Sequence, residues 1–158
     1  MKKRINTKSI TFNDSVQFVK SIWTQISQFF NENYDEHLIF ELLNEPRLQS
    51  HEHEWCYNSN CQICHDGAET LNKLNQICLD TIRASGKNNS KRFVLLTGLG
   101  ASITSYQADD SWKLPKDSIE GRLLVSVHMY TPYSFAMQAP GDIIFAENHK
   151  KELAFHFK

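Results

Sequence analysis

Three short apolar runs constrain the fold of this chain more than any other feature: Leu38-Ile39-Phe40-Glu41-Leu42-Leu43, Phe93-Val94-Leu95-Leu96 and Leu123-Leu124-Val125-Ser126-Val127. Each is too short for a buried helix. The first, nearly continuous in apolar residues, fits a strand covered on both faces, as in a parallel sheet. The segments between and around them carry helical periodicity. Val16, Val19, Trp23, Ile26 and Phe30 recur at spacings of three and four and form one stripe over residues 16–30, reinforced by Ile22 and Phe29. Asn13, Asp14 and Ser15 stand just before it, with side chains suited to satisfying free backbone amides. A second helix is expected from about Ala68 to Ala84, with Leu71, Leu74, Cys78 and Ile82 on one face and Gly86 as its stop. From Asp142 onward another helix approaches, with Glu147 and Lys151 spaced for an ion pair. Helices alternating with strands imply parallel strands joined by crossovers, an α/β fold.

Size and composition narrow the field. The 158 residues are a prior for one domain of ordinary size, well short of the roughly 250 that a complete eightfold β/α barrel takes. A net charge of −1 argues against nucleic acid, whose binders show a basic excess or stripe. With 41% hydrophobic and 22% charged residues the composition is globular, and no apolar run approaches the roughly 20 residues that span a bilayer. No membrane partner is expected. Met1-Lys2-Lys3-Arg4 imitates the start of a signal peptide, but Asn6, Thr7, Lys8 and Ser9 stand where an apolar stretch is needed, so no secretion signal is expected.

Two long connections, from Pro46 to about Gly67 and from Gly98 to Gly121, leave the C-terminal ends of expected strands. Structureless connections of that length are usually functional, and ligands bind at that end of α/β sheets. Asn44-Glu45-Pro46-Arg47 lies where the first strand ends. Pro46 cannot donate to a sheet ladder, so it terminates the strand and leaves Glu45 at the rim, placed either for general acid/base work or merely to cap a turn. The third strand runs out through His128 and Tyr130, two residues apart and so on one side of an extended chain. In a parallel sheet they share the rim with Glu45.

With these residues in place the chain resembles glycoside hydrolase family 5, the cellulase-like (β/α)8 barrels, and within it the endo-β-1,4-glucanase branch. The resemblance rests on Trp23, the segment from Leu38 to Arg47, Leu71-Asn72-Lys73-Leu74-Asn75-Gln76, Ile82 to Asn89, Arg92-Phe93-Val94 and Val125 to Tyr133, in order over about residues 13–158. It implies a fragment of a TIM barrel, about strands four to six with flanking helices, so that residues 1–158 would be a partial catalytic domain truncated at both ends. It further implies retaining hydrolysis of a β-1,4-glucan polysaccharide, no cofactor, and an extracellular setting. By position, Glu45 would be the acid/base and Asn44 would bond the sugar 2-hydroxyl. His128 and Tyr130 would be the His-x-Tyr pair, whose tyrosine contacts the nucleophilic carboxylate. That nucleophile belongs to the end of a seventh strand, and none is visible here. A retaining pair must lie about 5–5.5 Å apart, whereas Glu41 is four residues from Glu45, roughly 13 Å along a strand. Its parity points it into the barrel, where an ion partner is its expected role. Glu147 reads as a solvated helix end. On this basis the chain is expected to be inactive alone, with apolar residues such as Leu43 and Val127 exposed.

A second signal competes. His51, His53, Cys56, Cys61, Cys64 and His65 crowd into the first long connection, and Cys61-x-x-Cys64 has a spacing found in zinc sites. A structural zinc site usually has two well-separated ligand pairs and the second pair here is irregular, so no metal is expected; Cys56, Cys61, Cys64 and His65 are the weak metal candidates, and free thiols or a loop disulfide are the blander readings. A chain built around this cluster would be a non-catalytic remnant or a zinc-binding module. Cys78, on the helical stripe, reads as a small core residue. Trp55, in the same connection, either stacks on a sugar face or packs against the rim.

Overall fold

The computed structural model describes residues 11–157, so the basic start at Met1–Arg4 lies outside the described residues. The first helix, α1, spans Phe12–Phe29 and opens four residues earlier than its apolar stripe. Thr11 is the cap: its hydroxyl accepts the Asp14 N–H at 3.2 Å while the Asp14 carboxylate accepts the Thr11 N–H at 2.9 Å. This reciprocal box satisfies amides that Asn13 and Ser15, already inside the helix, would otherwise need to cap. Val19 and Trp23 are buried, but Ile22 and Phe29 face solvent and add nothing to the stripe.

Strand β1 spans Phe40–Glu41, β2 Val94–Leu96 and β3 Leu123–Val125, all parallel and ordered β1-β2-β3. Phe40 faces Val94, and Val94 faces Leu123. The regular ladder is shorter than the apolar runs, although isolated bonds extend it, such as Leu42 N–H to the Leu95 carbonyl at 3.0 Å. Helix α2, Gln62–Ala84, connects β1 to β2. It begins six residues before the expected Ala68, which shortens the first long connection and draws Cys64 and His65 into the helix. Gly67 lies inside this helix where Leu48 packs against its backbone, and a Cβ there would meet Leu48 Cδ2 at 2.8 Å. Gly86 ends it as expected, with φ of 65°.

Helices α1 and α2 cover one face of the sheet. Trp23, Phe40, Leu42, Cys78, Leu79, Ile82, Val94 and Leu96 form the core. Each fully buried aliphatic side chain contributes about 1.5–3 kcal/mol. Burial also pushes the Cys78 thiol up to about 12, as suits a core residue that never ionises. The other face is open at Ile39 and Leu124, so the first strand is covered on one side and not both; Val125, on the helix side by its register with Leu96, and Val127 are exposed as well. Leu43, expected in the open, is half-buried against both core clusters.

Two charged residues that no periodicity singles out hold the connections. Arg92 is 0% exposed. Its guanidinium donates to the carbonyls of Asp35 at 2.5 Å, Leu38 at 2.6 Å, Phe30 at 3.0 Å and Tyr34 at 2.6 Å, and to Asn89 Oδ1 at 2.7 Å. It thereby ties the connection entering β1 to the turn entering β2. Arg83 makes a two-pronged pair with Asp117, 2.8 and 2.7 Å, with both side chains buried. Burial opposes the charged form of Asp117, but the guanidinium and the Ile119 N–H outweigh it and hold the carboxyl below its ordinary range.

The second long connection is not structureless. It folds into a tight turn at Leu99–Ala101 and a short helix, α3, at Thr104–Gln107. Beyond β3 follow α4, Tyr133–Ala136, and α5, Glu147–Phe155. Glu147 pairs with Lys150 at 3.1 Å and not with Lys151.

Candidate active site

Because the strands are parallel, their C-terminal ends deliver Glu45, the Leu99–Ala101 turn and His128 to one rim. Glu45, Trp55, Gly100, His128 and Tyr130 line a common cleft of about 720 Å³. Glu45 Oε1 lies 2.8 Å from His128 Nδ1. The Glu45 backbone is left-handed, with φ of 45°. That conformation costs a non-glycine residue about 1–3 kcal/mol and recurs at functional sites. Pro46 locks the chain just beyond it.

The turn after β2 sets the spacing between the two sides. Gly100 N–H donates to the Pro46 carbonyl at 2.7 Å, and His128 N–H donates to the Ala101 carbonyl at 2.9 Å. Tyr106 braces it from below: its hydroxyl accepts the Gly98 N–H at 2.6 Å and donates to the Ser126 carbonyl at 2.7 Å. Burial, chiefly, raises the Tyr106 pKa, so the hydroxyl stays a neutral donor. No periodicity marks Tyr106 or the turn; the signal for the turn is Gly98-Leu99-Gly100, one residue beyond the apolar run Phe93–Leu96.

Glu41 meets the same imidazole from the opposite side, with Oε1 3.9 Å from His128 Nε2. The two carboxylates thus flank one ring and lie closer together than the roughly 13 Å that four residues of strand would give. The distance along the strand measures the backbone, whereas both side chains lean toward His128. The ring occupies the gap between them, so Glu41 and Glu45 cannot face each other across a sugar. Glu41 is thus turned toward the His128 ring, and no nucleophilic carboxylate stands opposite Glu45 among the described residues. Glu147 is an exposed residue at the start of α5, outside the cleft lining.

Trp55 is 56% exposed. The Arg47 guanidinium lies 4.5 Å from its ring centroid and is itself paired with Glu54 at 2.9 Å. The indole is therefore braced on the cleft wall and not buried in the rim. Asn44 adjoins Glu45 at the end of β1 but is not part of the cleft lining.

The Cys/His residues separate into different environments. Three of them, His51, Cys61 and Cys64, bring their ligand atoms within 4.8 Å of one another. Cys56 turns aside, its Sγ 3.7 Å from His53 Nδ1. His65 is occupied structurally: Nε2 meets the Ser59 carbonyl at 2.8 Å and Nδ1 the Ser111 hydroxyl at 2.7 Å. Of the sequence candidates, Cys61 and Cys64 thus stay together, Cys56 and His65 leave, and His51 joins. All four cysteines are free thiols.

Comparison with known proteins places the chain in a family. Residues 2–157 match the family described as Cellulase (glycosyl hydrolase family 5). Endoglucanase 1 of Ruminococcus albus is 41% identical over 126 residues, which are 80% of this chain and 29% of that protein. Endoglucanase A of Clostridium longisporum is 39% identical over 80% of this chain and 22% of its own length. Among solved structures, a glycoside hydrolase 5 lichenase of Caldicellulosiruptor sp. F32 in complex with cellotetraose superimposes with a TM-score of 0.84 at 38% identity, covering 94% of this chain and 42% of the other. The chain therefore spans under a third of these curated relatives and less than half of that barrel. The family fold is a (β/α)8 barrel, of which this chain forms a part with three parallel strands. The match to the family model along nearly all of its length makes this chain a member of glycosyl hydrolase family 5, a family of glycosidases.

Proposed function

We propose that this chain carries the acid/base half of a retaining β-1,4-glucan hydrolase of the endoglucanase type, with β1, β2 and β3 as the fourth, fifth and sixth strands of the barrel. The observation that carries the assignment is the 2.8 Å contact between Glu45 and His128 at the shared rim. A carboxyl group held by an imidazole at the mouth of a cleft is positioned to protonate a departing glycosidic oxygen, then to activate the water that releases the sugar. His128 orients Glu45. Tyr130 faces the cleft where its hydroxyl would meet the nucleophile, Asn44 would bond the 2-hydroxyl, and Trp55 offers a stacking platform. No cofactor enters this chemistry, and a polymeric substrate calls for action outside the cell. Among the described residues no helix is long and apolar enough to cross a membrane.

One carboxyl group can protonate the leaving oxygen but cannot stabilise the glycosyl intermediate. Residues 1–158 alone should therefore release no reducing ends from soluble β-1,4-glucan. Grafting residues 11–157 in place of the matching segment of Ruminococcus albus Endoglucanase 1 should restore turnover, and Glu45→Gln in that chimera should lower it by about 10²–10⁴-fold. A chimera that hydrolyses glucan equally well with Glu45→Gln would remove Glu45 from the mechanism. The competing picture, a non-catalytic module centred on the Cys/His segment, predicts no turnover in any chimera. The cluster lies outside the cleft lining, so it does not displace the glycosidase assignment.

A further inference from the structure

His51, Cys61 and Cys64 are not used by the proposed chemistry, yet the fold gathers them. They come from both ends of the Trp55-bearing segment: His51 lies near its start, Cys61 is the residue that caps α2, and Cys64 sits in the first turn of that helix. Cys61 makes no side-chain capping bond to the helix, so its sulfur is not committed elsewhere. Cys64 is fully buried and Cys61 and His51 are half-buried, which shields the cluster from bulk water. We propose that these three residues form a zinc site that staples the cleft loop to the start of α2, with water as the fourth ligand.

The chemistry of the donors selects the ion. Two sulfurs and one imidazole are the borderline-soft set that favours tetrahedral zinc over magnesium or calcium, which take oxygen. With Zn–S near 2.3 Å, the sulfurs of a tetrahedral site stand about 3.8 Å apart. The three ligand atoms already lie within 4.8 Å of one another, so closing onto an ion needs movements of an ångström or less. At His51, Nδ1 accepts the His53 backbone N–H at 3.1 Å, so the neutral ring keeps a basic nitrogen there. Binding zinc at Nδ1 exchanges one hydrogen bond for a metal bond. Cys56 points to His53 and lies outside the set, which leaves the fourth position to water.

The staple closes a short loop around Trp55, which lines the cleft from the same segment. Its consequence is to fix the platform residue without touching the acid/base at Glu45.

The experiment uses the 158-residue chain, reduced and handled without oxygen, with Zn²⁺ or Co²⁺ alone as the probe. The expected result is one zinc per chain after dialysis, and with Co²⁺ a tetrahedral absorption spectrum carrying sulfur-to-cobalt charge transfer. Zinc should protect Cys61 and Cys64, but not Cys56, from alkylation read by mass spectrometry. Cys61→Ser and His51→Gln, both at half-buried positions, should weaken zinc binding by at least about a hundredfold, more than the loss of an outer-shell partner does. Cys56→Ser should bind as tightly as the parent. The alkylation pattern is read on the parent chain, so the test stands even where a variant fails to fold. Substoichiometric zinc, equal protection of Cys56, or a Cys61–Cys64 disulfide that persists in the presence of reductant and zinc would overturn the proposal.

Discussion

Arg92 offers the sharpest test of how the connections entering β1 and β2 are held together. Its side chain is sealed from solvent and spans four backbone carbonyls between Phe30 and Leu38 together with the Asn89 side chain. It also lies 4.5 Å from the centroid of the Phe40 ring. Arg92→Met keeps much of the volume and removes every donor. A net hydrogen bond contributes about 1 kcal/mol, more when the donor is charged, and a buried carbonyl left without a partner costs about 1–3 kcal/mol. The cost of having buried the guanidinium offsets part of this, which leaves an expected loss of about 4 kcal/mol. Domains are stable by only about 5–15 kcal/mol, so the substitution should leave the fold marginal. With a urea slope of about 2 kcal/mol per molar, the midpoint should fall by about 2 M, read by the fluorescence of buried Trp23. Arg92→Lys should recover little, because three donors on one nitrogen cannot reach carbonyls spread around a planar fork. A midpoint for Arg92→Met within about 0.5 M of the parent, equivalent to about 1 kcal/mol, would refute the role assigned to this residue.

Asp117→Asn should cost about 3 kcal/mol at neutral pH, because it leaves the buried Arg83 without its charge partner. The folded Asp117 carboxyl titrates below its ordinary range, so the parent's extra stability is present above about pH 4 and fades as pH falls through the lowered value. The gap between parent and variant in urea midpoint should therefore narrow in acid, and an unchanged gap at about pH 2 would contradict this. In the catalytic chimera, Glu45→Gln should impair substrates with good leaving groups far less than cellulose oligomers, since the former need little protonation; equal losses measured by initial rates would count against an acid role. Trp55→Ala in the same chimera should weaken glucan binding by about tenfold, the share of an aromatic platform, seen as a raised KM at similar kcat.

The order of elements and the location of the rim were readable from the chain. Apolar runs too short for helices, alternating with stripes of period 3.6, specify parallel strands, and parallel strands send their C-terminal residues to one end. That Glu45, His128 and Tyr130 share a rim follows from that polarity, whereas the roles proposed for them come from the family resemblance. Cys78 and Gly86 also follow from local pattern, one on a buried stripe and one at a position needing positive φ. What the pattern left open was where side chains meet across long separations. Arg92, Arg83 and Tyr106 satisfy carbonyls, a carboxylate and an amide that become their neighbours only when the connections pack, so no periodicity marks them. The start of α1 moved to the Thr11–Asp14 box because capping is decided by a reciprocal hydrogen bond and not by the first apolar residue. The same reason governs the cysteines: once α2 extends back to Gln62, Cys64 turns inward, His65 is taken by Ser59 and Ser111, and His51 arrives from the far side of the loop. Glu41 shows it most plainly. Its distance from Glu45 along the strand is a property of the sequence, but their meeting at His128 belongs to the third strand and to the turn that holds it there.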